Sequence, residues 1–145
     1  MSGLAHILLD RGLTVSGSDR NNSDIIENLK KSGAKIYFGH NAKNVESADL
    51  VVYTAAISKD NPELVRAKES GITIMERSDF LGELMLDYDM PVSVSGTHGK
   101  TTTTSMLACV MLDADKNPTV LVGGQLSNIG GNYRIGSKSS MIFTS

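Results

Sequence analysis

The sequence predicts an α/β chain in two parts. A parallel-sheet domain is expected over residues 1–88, and the start of a second α/β domain, opening on a phosphate-binding loop, over 89–145. Three observations carry this. Helix-like and strand-like runs alternate through the first 88 residues, the pattern of strands joined by helical crossovers. Asp49–Thr54 is a continuous apolar run, as in a strand covered on both faces. Finally, Gly96-Thr97-His98-Gly99-Lys100-Thr101-Thr102-Thr103-Thr104 lies between the apolar run Pro91–Val94 and the apolar-rich run Met106–Leu112, so a strand, a glycine turn and a helix follow one another.

Residues 2–10 read as a helix closed by Gly12, with Leu4, Ala5, Leu8 and Leu9 on one face and His6 at the surface or partly buried. Thr14–Asp19 is a short strand ending in an acid. Ser23 or Asp24 caps a helix over Ile25–Ser32, which Gly33 stops. Ala34–Phe38 is the next strand, followed by the turn cluster Gly39-His40-Asn41. After the strand at Asp49–Thr54 and the small-residue loop Ala55–Ser58, Asn61 and Pro62 cap and open a helix that Gly71 ends. Ile72–Met75 is a strand, and Ser78 caps a helix to about Asp87. The order is α-β-α-β-β-α-β-α. A doubly wound sheet opens instead on a strand and a glycine turn, so a Rossmann-like domain lacking its first strand is expected, the chain being a fragment. Asp19 then stands where an acid follows that turn at the end of the second strand. In the second part, a P-loop-type α/β domain is expected: strand Met90–Ser95, a helix to Leu112 or Asp113, strand Thr119–Val122, turns at Gly123-Gly124 and Gly130-Gly131, and strand Ser140–Thr144.

Composition narrows the class. The chain has 145 residues, 40% of them hydrophobic and 21% charged, and its net charge of −2 argues against a nucleic-acid surface. A single cysteine, Cys109, precludes an internal disulfide, and its apolar neighbours suit a structural thiol. No apolar run approaches the roughly 20 residues that span a bilayer, and no signal peptide is visible, so no membrane partner and a cytoplasmic setting are expected.

The 96–104 stretch carries the chemistry. Helix N-terminal N–H groups and the helix dipole favour an anion, a lysine adds a full charge, and a neighbouring hydroxyl can hold Mg²⁺. The strict Walker A spacing requires glycine where Val94 stands, so this loop is shorter. The expected roles are backbone amides of His98–Thr102 on phosphate oxygens, Lys100 on the β/γ-phosphates and Thr101 on Mg²⁺. His98 either touches phosphate or substrate or serves as a spacer. His40, after a strand, sits at the edge where α/β sheets take ligands. No His or carboxylate spacing suits zinc.

The loop resembles that of the Mur ligases, ATP-dependent amide-forming enzymes of peptidoglycan synthesis. Four further stretches share the likeness: Met1–Ala5, Ser16–Asp19, Thr54–Ile57 with Asn61–Glu63, and Gly123–Leu126 with Ile129–Asn132. Within the family it is greatest to the member joining L-alanine to UDP-N-acetylmuramate. The resemblance implies ATP and Mg²⁺ at Gly96, Thr97, His98, Gly99, Lys100, Thr101 and Thr102, with Lys100 catalytic and Thr101 the metal ligand. It implies the UDP sugar at Asp19, Gly39, His40 and Thr54, Ala55, Ala56 and Ile57. An acidic Mg²⁺ ligand and a closing domain would then lie beyond Ser145, and residues 1–145 alone would not ligate. The alternatives are the related ligase that attaches a recycled peptide, a non-catalytic nucleotide-binding module, or an NAD-binding domain joined to an unrelated loop.

Overall fold

The structure, a computed structural model, describes residues 1–126 and 129–144. The chain forms two compact units, Met1–Phe80 and Leu81–Ser145.

In the first unit the elements are α1 (Ser2–Asp10), β1 (Ser16–Asp19), α2 (Asp24–Lys31), β2 (Lys35–Phe38), a 3₁₀ turn (Ala42–Val45), β3 (Leu50–Tyr53), α3 (Pro62–Glu69) and β4 (Thr73–Glu76). A further helix, α4 (Arg77–Met85), spans the boundary. Local chemistry sets several boundaries. The Ser23 hydroxyl accepts from the Ile26 amide, acids open α2, and Lys30 and Lys31 close it, each complementing the helix dipole. The Asn61 side chain accepts from the Glu63 amide ahead of Pro62. Ser78 is inside α4 rather than its cap, because the helix begins at Arg77 directly after β4.

β1 pairs in parallel with β2, and β3 with β4. Among the described residues no ladder joins the two pairs. In the usual doubly wound order the opening strand lies between two such pairs. β3 is half-buried along its length rather than covered on both faces, since it pairs on one side only. The core gathers Leu4 and Ile7 of α1, Ile26 and Leu29 of α2, Ala34, Val45, and Leu64 and Ala67 of α3. His6 is buried with them, further than the surface or partly buried placement expected, and burial lowers its pKa below the usual histidine value.

The second unit holds β5 (Met90–Val94), α5 (Lys100–Asp113), β6 (Thr119–Leu126), β7 (Gly131–Arg134) and β8 (Ser140–Thr144). They form a sheet in the order β5-β8-β6-β7, parallel except where β7 runs against β6. α5 lays Ala108 and Met111 on Val120, Val122 and Ile142. The turn expected at Gly123-Gly124 is not there. Both glycines continue β6, in a stretch where its register against β7 shifts. Ser127 and Asn128, between the two expected turns, lie outside the described residues.

Gly136 is fixed by close approach. A Cβ there would stand 2.1 Å from the Asn117 carbonyl oxygen and 2.5 Å from Pro118 backbone atoms. Gly136→Ala should therefore destabilise the second unit by about 2–3 kcal/mol, read by urea unfolding. His6 gives a pH-dependent counterpart in the first unit. With its folded pKa below its unfolded one, stability is full above the ordinary histidine range and falls as pH drops through the folded pKa. His6→Leu should flatten that part of a stability–pH profile.

Candidate functional site

In the second unit, β5 delivers the chain to an exposed loop at Ser95–Gly99, and α5 begins at Lys100. Gly99 is the N-cap residue, with φ +78°, a left-handed conformation that glycine adopts without steric cost. Glycine offers no capping side chain, and α5 has no side-chain cap. The first intrahelical bond at this end runs from the Thr103 amide to the Gly99 carbonyl, at 2.9 Å. The amides ahead of Thr103 begin the helix without partners inside it.

Charge is placed against ordinary helix preference here. The first turn of α5 has no acid, and Lys100 stands at the positive end of the dipole. Its ammonium folds back onto the Gly96 carbonyl, at 2.5 Å. That contact uses one of three N–H donors and leaves the others for an anion. Thr101 and Thr102 are exposed, and Thr104 is buried. Thr97 and His98 are exposed in the loop. A free anion-binding end, an adjacent cation and a hydroxyl at the next position fit a phosphate with its divalent cation. Among the described residues no group of three or more His, Cys, Asp or Glu could hold a metal by itself.

The structure adds a feature that the sequence pattern did not supply. Cβ atoms built on Gly123 and Gly124 would lie 3.9 Å from Thr101 Oγ1 and 3.4 Å from Thr101 Cγ2. The glycine pair of β6 thus lies against Thr101, where a Cβ would reach van der Waals contact and a larger side chain would crowd it.

In the first unit, Asp19 ends β1 and is exposed; its carboxylate accepts from the Asn21 amide at 3.0 Å. Its carbonyl accepts from the Gly39 amide at 2.8 Å, which brings Asp19, Gly39 and His40 together at the carboxyl ends of β1 and β2. Around His40 lies a cluster that sequence reasoning missed. Ser18 Oγ donates to Glu63 Oε2 at 2.7 Å and lies 3.0 Å from His40 Nδ1, which is itself 3.2 Å from Glu63 Oε2. Asn44 Nδ2 donates to Glu63 Oε1 at 2.7 Å and to the Gly39 carbonyl at 3.2 Å. The His40 and Glu63 side chains are only 14% and 13% exposed.

The Thr54–Ile57 segment is a turn closed by the Ile57 amide on the Thr54 carbonyl, with Ala55 and Ala56 exposed. It leads along the chain to Asn61, whose side chain holds the Glu63 amide at 2.9 Å. The available sequence sign of Glu63 was its place after Asn61-Pro62, where an acid also reads as ordinary support for a helix dipole.

A family model described as "Mur ligase family, catalytic domain" matches residues 1–89. The chain is 58% identical, over 142 residues, to a UDP-N-acetylmuramate–L-alanine ligase of Clostridium botulinum (strain Okra / Type B1), covering 98% of this chain and 31% of that protein. It is similar to the crystal structure of the UDP-N-acetylmuramate-alanine ligase MurC of Thermotoga maritima, with a TM-score of 0.89 at 35% identity, over 99% of this chain and 34% of that one. It is also similar to the UDP-N-acetylmuramate:L-alanyl-gamma-D-glutamyl-meso-diaminopimelate ligase of Neisseria meningitides, with a TM-score of 0.88 at 29% identity, over 100% of this chain and 48% of that one. The chain therefore spans about a third of the length of the curated relatives it matches.

The close approach to Thr101 is testable. Under the ATP-loop role proposed below, Gly124→Val in the full-length protein should weaken Mg-ATP binding about tenfold by crowding the Thr101 side chain, with calorimetric titration as the measurement.

Proposed function

The chain belongs to the Mur ligase family, and on that premise we propose that it supplies the UDP-sugar site and the ATP loop of an enzyme that joins L-alanine to UDP-N-acetylmuramate in peptidoglycan synthesis. The observation that carries the reading is the uncapped, acid-free start of α5 with Lys100 folded over its loop.

The chemistry explains why such a loop is needed. A carboxylate resists attack by an amine because its oxygen is a poor leaving group. Transfer of the γ-phosphoryl of ATP to the muramyl carboxylate gives ADP and an acyl phosphate. The amine of L-alanine then forms the new C–N bond, the acyl C–O bond breaks, and inorganic phosphate departs with the electron pair. In this scheme the amides of His98–Thr102 hold phosphate oxygens, and Lys100 offsets the charge on the transferring group. The Thr101 hydroxyl would hold Mg²⁺, which supplies charge neutralisation between the phosphates. Gly96, Thr97 and Gly99 shape the loop. Asp19, Gly39, His40 and the Thr54–Ile57 segment hold the UDP sugar, with Ala55 and Ala56 leaving room along the turn. A cytoplasmic setting is part of this proposal. Ligation is proposed for the whole protein; residues 1–145 alone are expected not to ligate.

The two related solved ligases share UDP-N-acetylmuramate in their names and differ in the amine-bearing partner. Their nearly equal likeness to this chain supports assigning it the handling of the shared substrates. The 58% identity to an L-alanine ligase favours alanine over a recycled peptide as the acceptor. A non-catalytic nucleotide-binding module is the remaining reading.

In the full-length protein, ADP release should require both UDP-N-acetylmuramate and L-alanine. A preformed peptide that replaces L-alanine with equal efficiency would move the assignment to the recycling ligase, and absence of turnover with either would favour the non-catalytic module. Lys100→Ala should lower kcat by about 10²–10³-fold with an unchanged melting temperature. Near-normal turnover in that variant would remove Lys100 from its role.

A further inference from the structure

Three side chains meet around one proton in the first unit, and counting donors fixes where that proton sits. Ser18 has one hydroxyl hydrogen, and it is donated to Glu63 Oε2 at 2.7 Å. Glu63, ionised, has only acceptors, and both of its oxygens are engaged, Oε1 by Asn44 and Oε2 by Ser18. His40 Nδ1 lies 3.0 Å from Ser18 Oγ and 3.2 Å from Glu63 Oε2. Were Nδ1 bare, a lone pair would face two acceptors with no hydrogen between them. Nδ1 therefore carries the hydrogen and shares it between Ser18 and Glu63. In the neutral ring the other nitrogen, Nε2, is then an acceptor.

We propose that Glu63, with Ser18 and Asn44 beside it, is a positioning residue that holds His40 in its Nδ1–H tautomer, so that Nε2 accepts a hydrogen bond from a hydroxyl or imide N–H of the bound nucleotide sugar. The proposal rests on the reading of His40 as part of the UDP-sugar site. The arrangement is rigid for structural reasons. Glu63 begins α3, its amide is held by Asn61, and its two carboxylate oxygens tie the end of β1 to the 3₁₀ turn. Asn44 also holds the Gly39 carbonyl, so the backbone just before His40 is fixed by the same group. Ring tautomer and ring position are set together, before any ligand arrives.

Two measurements on the full-length protein test this. Long-range ¹H–¹⁵N correlation spectra of histidine-labelled protein, taken well above the ordinary histidine pKa, should show His40 with a protonated Nδ1 and a bare Nε2. A bare Nδ1 overturns the proposal while leaving the UDP-sugar reading intact. Kinetics then separate positioning from simple scaffolding. Glu63→Gln cannot accept on both edges, and should raise KM for UDP-N-acetylmuramate about tenfold, leaving kcat and KM for ATP within about twofold. Ser18→Ala, which spares the Glu63 contact, should keep the Nδ1–H signature. A Glu63→Gln protein with an unmoved KM, whether or not its melting temperature falls, would refute the positioning role. Absence of wild-type turnover with UDP-N-acetylmuramate would instead overturn the functional reading beneath it.

Discussion

The start of α5 is the constraint on which the second unit is arranged. A helix must leave its first amides without partners inside the helix, and most helices answer with a Ser, Thr, Asp or Asn cap. Here the cap position is Gly99 in a left-handed conformation, no acid follows, and a lysine occupies the end where a cation is least welcome. Each choice costs helix stability by itself. Four successive threonines, weak helix formers, add to that cost. Their common effect is to leave positive potential uncompensated at an exposed end. α5 is held despite this by its middle, where Ala108 and Met111 pack on Val120, Val122 and Ile142. The helix is anchored away from its N-terminus, so that end need not be optimised for folding.

The first unit solves a different problem. Its strands are four residues long and pair two by two, giving little sheet to hold the carboxyl ends of the strands in place. Polar contacts do that work. Glu63 reaches across the carboxyl ends of the strands, accepts from Ser18 and Asn44, and meets His40 Nδ1 at 3.2 Å. Burying a carboxylate is expensive unless its lone pairs are satisfied, and both oxygens here are. The arrangement is therefore strongly coupled: losing one donor strands the others in a half-buried site.

The order of helices and strands was legible because glycines and caps punctuate it. Gly12, Gly33 and Gly71 follow three helices, all with positive φ, and Ser23 and Asn61 cap two. The loop at Ser95–Gly99 and the helix start at Lys100 were legible for the same reason, as a local pattern. What escaped was long-range. The Glu63 cluster joins residues up to 45 positions apart, and no periodicity encodes that. The 3₁₀ turn at Ala42–Val45 is capped by Asn41, which the sequence presented only as part of a turn cluster. The family match over residues 1–89 and the two structural likenesses fit the expected α/β class with parallel strands.

Gly123-Gly124 shows why glycine misled. A glycine pair between apolar segments ordinarily signals reversal. Here it marks a close approach to Thr101, and the two meanings separate only when the neighbours of an added Cβ are known. At Gly136 those neighbours are backbone atoms of Asn117 and Pro118, which cannot yield, so that glycine belongs to the fold. At Gly123 and Gly124 the nearest atoms belong to the Thr101 side chain, at ordinary or slightly tight van der Waals distance. A side chain there would trouble the strand little, since β6 is already irregular at that point. It would instead constrain the residue that follows Lys100. Glycine in a strand sacrifices both backbone entropy and packing surface. Two in succession, lying against a threonine at an uncapped helix start, fit the proposed role of that end of α5, because they add no side-chain bulk beside Thr101.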